Sequence, residues 1–173
     1  MHGPWWFSSG GGRFDLSPPH GTCYLAATEA TAAREVIGPS FVLSGRVPSS
    51  LVAGRVVSRL VVDEGLRCAL LTSSRTAAFG AVGAELSAAV TYRVSGAWAY
   101  ALFSAGFGGV WYSPRFSGPD SRALALFGEA GEAARPRDPS ARPLAAVVAE
   151  MPDVHVLPVP ERLGELRVLD EPR

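Results

Sequence analysis

Apolar runs in this chain are short, and they shift between strand-like and helix-like spacing without any regular alternation of the two. A doubly wound sheet needs repeating strand–helix units, so the irregular order predicts an α+β fold around one central twisted mixed sheet. Residues 22–26 read as a strand, and Thr28 caps a helix over about 29–37 that stops at Gly38-Pro39. Residues 52–62 and 66–72 read as strands on either side of an Asp63-Glu64-Gly65 turn. Residues 91–105 fit a buried helix closed at Gly106, which feeds a strand at 109–112, and 123–127 is another strand. Between 128 and 143 the composition turns to Glu, Ala, Arg and Pro, the mark of a solvated loop or frayed helix. A helix over 144–150 and strands at 154–159 and 166–169 complete what reads as a single domain spanning 1–173, without internal repeats. The first twenty residues read as a loop in which Trp5, Trp6 and Phe7 pack the terminus down.

Composition narrows the chemistry. With 173 residues, 47% of them hydrophobic, the chain is long enough to bury one ordinary core. All sixteen basic residues are arginine and sixteen acidic residues balance them, so no broad positive field draws the protein onto nucleic acid or an anionic membrane. The absence of lysine excludes Schiff-base and P-loop lysines, and the absence of asparagine excludes a Cys-His-Asn arrangement. Cys23 and Cys68 each lie in an apolar run and read as reduced core thiols. No stretch reaches the roughly 18 apolar residues of a membrane span, and the N-terminus lacks a signal-peptide layout, so the expected location is cytoplasmic.

Taken singly, the polar residues say little. His2, His20 and His155 have no spacing that would let two face one metal, so no metal site is expected, and His155 between valines reads as a core or edge histidine. Gly10-Gly11-Gly12-Arg13 lacks the strand before it and the capped helix after it that a dinucleotide fingerprint requires. Its backbone N–H groups and the arginine fork could still meet a phosphate, although alone Arg13 reads as a surface arginine. Glu35 alone is a solvated carboxylate, and nothing local supplies a base to Ser113.

The joint pattern is more specific. Gly11-Gly12-Arg13-Phe14, Cys23-Tyr24-Leu25-Ala26, Thr31 to Val36, and Gly109-Val110-Trp111-Tyr112-Ser113-Pro114-Arg115 followed by Leu124-Ala125-Leu126-Phe127 resemble the RES-domain family. Tyr24 stands eleven positions after Arg13, and Glu35 eleven positions after Tyr24. The family is named for an Arg, a Glu and a Ser, which here match Arg13, Glu35 and Ser113; Ser95, after Tyr92-Arg93-Val94, lies near a serine used by some relatives. Family members often carry a strand with a Tyr-Arg-like pair ahead of the Gly-Gly-Arg block, so the family's N-terminal strand is expected to be missing.

The resemblance implies a fold related to ADP-ribosylating toxins, NAD as substrate rather than cofactor, and a role as the toxin of a bacterial toxin–antitoxin pair. It implies cleavage of the nicotinamide–ribose bond with inorganic phosphate or water as acceptor, and as partner a helical antitoxin carrying a DNA-binding domain. A mono-ADP-ribosyltransferase acting on a protein, or a catalytically silent nucleotide- or partner-binding module, are the alternatives. Departure of nicotinamide leaves an oxocarbenium-like ribose that a carboxylate stabilises, the part expected of Glu35. Tyr24 would offer a ring face to nicotinamide, Arg13 a fork for the pyrophosphate and Ser113 a hydroxyl, with Gly12, Ser95 and Arg115 as further substrate-binding residues.

Overall fold

Both sides of one central strand are covered, and that sets the architecture. The computed structural model describes residues 3–79, 92–136 and 138–158. In chain order its first half holds β1 (Trp6–Phe7), β2 (His20–Ala26), α1 (Glu29–Ser44), β3 (Arg46–Pro48), α2 (Ser49–Val52), β4 (Val56–Val57), β5 (Cys68–Leu70) and a 3-10 turn (Ser74–Phe79). The second half holds α3 (Arg93–Ser104), β6 (Gly109–Tyr112), β7 (Ala123–Glu129), β8 (Gly131–Glu132), β9 (Arg142–Pro143), α4 (Leu144–Ala149) and β10 (His155–Leu157). The largest sheet runs β2-β7-β6-β5; its first two pairings are antiparallel and β6-β5 is parallel, so the fold is α+β with a mixed central sheet.

Residues 123–127 of β7 are all buried, as a continuous apolar run requires when both faces are packed. On one face Ala123, Ala125 and Phe127 join Val110 and Tyr112 of β6 under Ala99 of α3, with Phe14 and Leu16 from the first loop. On the other, Leu124 and Leu126 meet Cys23 of β2, and Trp5 and Phe7 fold over them. The aromatic terminus thus packs down through two of its three rings, while Trp6 stays partly exposed. A second apolar cluster joins Ala33 and Ile37 of α1 to Val47 of β3, Val52 of α2, and Leu144, Val147 and Val148 of α4. Cys23 and Cys68 are free; Cys23 is fully buried, which pushes its thiol up to about 11, and Cys68 is partly buried.

Several local expectations need correction. Helix α1 does not stop at Gly38-Pro39 but runs through Pro39 to Ser44 and closes at Gly45, whose N–H donates to the Phe41 carbonyl at 2.7 Å. An internal proline costs about 3 kcal/mol, and burial of Ile37 and Phe41 against the second cluster offsets it. Gly38 serves contact instead, because a Cβ there would lie 2.1 Å from Cγ of Phe116. Residues 52–62 are not one strand. Only Val56 and Val57 pair, with β9, and the Arg59 N–H goes to the Asp138 carboxylate at 2.6 Å rather than to a strand partner. Residues 128–143 take the solvated-loop form rather than the frayed helix, with the short strands β8 and β9 set into it. His155 takes the edge reading, exposed in β10 opposite Arg46 of β3. The expected strand at 166–169 lies outside the described residues.

Candidate functional site

The glycine-rich loop is held onto β2 by side chains. Ser8 and Thr22 exchange backbone hydrogen bonds of 3.0 and 2.7 Å, and the Thr22 hydroxyl donates to the Phe14 carbonyl at 2.8 Å. Between these ties the Asp15 carboxylate gathers four donors. Its Oδ2 accepts from the Gly11 and Gly12 N–H groups at 2.9 and 2.7 Å, and its Oδ1 from the Ser8 and Tyr24 hydroxyls at 2.9 and 2.8 Å. Gly12 has no space for a side chain, since a Cβ would sit 2.5 Å from both Asp15 Oδ1 and Tyr24 Oη. The Gly11 and Gly12 N–H groups are therefore already satisfied by Asp15, so Arg13 is left to meet an anion chiefly through its side chain.

Tyr24 has two separate surfaces. Its hydroxyl is saturated, accepting from the Phe14 N–H at 2.8 Å while donating to Asp15, yet the residue remains 38% exposed, so its ring is open to stacking. Burial first, and the Asp15 charge second, hold that hydroxyl well above the usual phenol range.

Glu35 reaches the same region from α1. Thr28 fixes the start of the helix by accepting the Thr31 N–H at 3.1 Å, so only a short link separates the β2 position of Tyr24 from the helical position of Glu35. Half-buried Glu35 accepts the Phe116 N–H at 2.8 Å through Oε1; its Oε2 has no protein partner among the described residues. The Phe116 ring lies against Gly38 one turn further along, so helix and loop lock together.

Tyr112, at the end of β6, stands among these groups. Its ring packs on Phe14 with centroids 5.0 Å apart, and the Arg13 guanidinium lies 5.8 Å from its centroid. Burial above all, then the Glu35 charge, pushes its hydroxyl well above the usual phenol range, and Arg13 opposes the rise. Arg13, Tyr24, Glu35 and Tyr112, from a loop, a strand, a helix and a second strand, thus share one electrostatic neighbourhood. Such an arrangement offers a cation, a carboxylate oxygen and a ring face to one ligand.

The RES domain matches residues 1–162. The chain belongs to the RES-domain family. That family is associated with NAD-related toxin function. No curated protein and no solved structure matches the chain.

The remaining candidates of this RES domain differ in placement. Ser113 is half-buried next to Tyr112, and Arg115 is exposed with its guanidinium 5.5 Å from the Phe116 centroid, on the loop that holds Glu35. Ser95 is fully buried in the first turn of α3, where its hydroxyl donates to the Tyr92 carbonyl at 3.2 Å. In this conformation it faces the protein interior. Among the described residues, no group of three or more His, Cys, Asp or Glu could hold a metal, and no helix is long and apolar enough to cross a membrane.

A cavity of about 1350 Å³ lies elsewhere, between α1, the 55–66 segment and the sheet. Tyr24 reaches its rim, but Arg13, Glu35 and Ser113 do not line it. Its sheet side is Leu25, Trp111 and Leu124, with Leu60, Val62 and Leu66 opposite, and these belong to the apolar packing around Trp5 and Phe7. Its lining also carries Glu29, Arg55, Arg59, Asp63, Glu64 and Glu150, whereas Arg13, Glu35 and Ser113 lie with Tyr112 instead. Sequence reasoning missed Asp15 and Tyr112. Two sequence signals pointed toward Tyr112: its place beside Ser113 in the family-like string, and its two-residue spacing from Val110 in a strand, which puts both on one face.

Proposed function

We propose that this RES domain binds NAD at the residues gathered around Tyr112 and cleaves its nicotinamide–ribose bond, with inorganic phosphate or water as acceptor. The observation that carries this reading is that Arg13 lies over the Tyr112 ring while Glu35 and Tyr24 share that residue's electrostatic surroundings, with Glu35 held by a backbone N–H through one oxygen and open at the other. NAD presents a complementary set: a pyrophosphate for the Arg13 fork, a planar nicotinamide for the exposed Tyr24 ring, and a ribose carbon that turns cationic when nicotinamide leaves.

In the reaction the bond between ribose C1 and the pyridinium nitrogen breaks, and nicotinamide departs neutral with the electron pair. The acceptor oxygen then forms the new bond to C1. Water gives ADP-ribose and releases a proton to solvent, whereas phosphate gives the 1-phosphate of ADP-ribose. The Glu35 carboxylate, fixed before substrate arrives, stabilises the positive charge that develops on the ribose. The same reading makes the protein a cytoplasmic toxin, held inactive when a helical antitoxin with a DNA-binding domain covers these residues. An acidic antitoxin segment would suit Arg13, which lies half-buried over an aromatic ring as it would to meet a phosphate.

The deciding experiment incubates purified protein with NAD, with and without phosphate, and identifies products by mass. Nicotinamide together with ADP-ribose or its 1-phosphate is the expected result. Intact NAD after long incubation would sink the proposal, and ADP-ribose found attached to protein would redirect it to transfer.

A further inference from the structure

We infer that Tyr112 contacts the substrate directly, its hydroxyl donating a hydrogen bond to a hydroxyl of the nicotinamide-bearing ribose beside Glu35. The inference rests on the NAD reading above and adds to it a residue and a subsite.

Three observations carry it. Tyr112 is only 9% exposed, yet its hydroxyl has no hydrogen-bond partner among the described residues. A buried hydroxyl without a partner is costly, and native structures rarely leave one unless a ligand or solvent completes it. The atom is not sealed away either: among the described residues the fully occluded side-chain polar atom that lacks a partner is Ser117 Oγ, so the Tyr112 hydroxyl keeps an opening.

The second observation is the company it keeps. Glu35, Tyr24 and Arg13 all act electrostatically on Tyr112 or are acted on by it. Tyr24 has spent its hydroxyl on Asp15 and Phe14, and Glu35 has one oxygen left over. With the Arg13 guanidinium assigned to the pyrophosphate, the groups nearest the ribose without a partner among the described residues include one donor, the Tyr112 O–H, and one acceptor, Glu35 Oε2. A vicinal diol matches that pair, because one of its hydroxyls can donate to the carboxylate while the other accepts from the phenol. Burial and the Glu35 charge keep Tyr112 protonated, and therefore a donor, throughout the neutral range.

Third, the ring and the hydroxyl have separable duties. Phe14 and Arg13 meet the ring of Tyr112, so phenylalanine at this position keeps both contacts and removes only the oxygen.

The test measures kcat and KM for nicotinamide release by the wild type and Y112F. The substrates are NAD and two analogues that lack one or the other hydroxyl of the nicotinamide-bearing ribose. Thermal melts of both proteins verify the fold. Y112F is expected to lose about tenfold in kcat/KM on NAD, the worth of one hydrogen bond, and to lose nothing further on one of the two analogues. Equal kcat/KM for Y112F and wild type on NAD overturns the inference, and so does a loss of the same size on all three substrates, because the hydroxyl would then act away from the ribose. Should Y112F fail to fold, the wild type decides alone: it must lose at least about tenfold on one analogue, and parity across all three substrates overturns the inference. A wild type that leaves NAD intact refutes the NAD reading itself, which is a different result from active wild type with an equally active Y112F.

Discussion

Replacing Glu35 by glutamine isolates charge from shape. The carboxylate uses Oε1 to accept the Phe116 N–H at 2.8 Å, and the amide oxygen of glutamine can keep that bond. What disappears is the negative charge, which the carboxylate shares over both oxygens, one of them without a protein partner among the described residues. With about 4 Å between carboxylate and ribose cation and an effective dielectric near 20, the lost attraction is about 4 kcal/mol. Glu35 is half-buried, so solvent screens part of it, and about 3 kcal/mol is the better figure, or roughly a hundredfold in turnover. Nicotinamide release at saturating NAD should therefore fall by about 10² while the thermal midpoint stays near that of wild type. Glu35→Ala should lose as much activity and also some stability, because the Phe116 N–H then lacks its acceptor, a cost of about 1–3 kcal/mol. A glutamine variant that keeps more than about half of wild-type turnover would contradict an electrostatic role of this size.

Other consequences can be checked on the same protein. Arg13→Lys should bind NAD as weakly as Arg13→Ala by calorimetry, since an ammonium cannot copy the planar fork; wild-type affinity in the alanine variant would reassign Arg13 to packing on Tyr112. Gly12→Ala should lower the unfolding free energy obtained from urea melts by about 1–3 kcal/mol and abolish cleavage, because its Cβ overlaps Asp15 and Tyr24; Gly11→Ala, with nothing within 4 Å of the added carbon, is the matched control and should be near neutral. Arg34 donates to both oxygens of Asp153 at 2.8 and 2.9 Å, which holds that carboxyl below its ordinary 3.8. The lowered value means the pair stabilises the fold above the ordinary carboxylate pKa and stops doing so as pH falls through the depressed one. Unfolding free energies of wild type and Asp153→Asn should thus differ at pH 7, by no more than about 1 kcal/mol for so exposed a pair, and converge in acid.

Much of the frame was legible because local signals and tertiary packing agreed. Thr28 is followed by a helix, the 123–127 run is a central strand, and the eleven-residue steps from Arg13 to Tyr24 to Glu35 span one loop-to-strand and one strand-to-helix passage. The errors arose where tertiary contact overrode a local rule. Gly38-Pro39 carries the chemistry of a helix stop, but Phe116, 78 residues further on, requires a glycine there. The valines of 52–62 have strand propensity, but only two of that segment's residues find a strand partner.

The parts of the site that stayed hidden share one cause. An aspartate in a glycine-rich loop reads as a turn residue, and nothing in its own neighbourhood says that it is buried. Its significance comes from Ser8, seven residues earlier, and Tyr24, nine later, which meet it only once the loop lies back on β2. Tyr112 is the same case over a longer range: as the last residue of a short apolar strand it reads as core. Its packing bears that out, yet its hydroxyl becomes informative only when α1 brings Glu35 from 77 residues away and the first loop brings Arg13 from 99. Tyr112 stands in a recognisable string beside Ser113, yet its part in the site, like that of Asp15, is defined by who arrives next to it. For this RES domain the experimental weight therefore belongs on Asp15 and Tyr112 as much as on Arg13 and Glu35. If these residues form an NAD site, the substitutions that keep shape but remove one polar atom, Tyr112→Phe and Glu35→Gln, must hurt turnover more than they hurt stability.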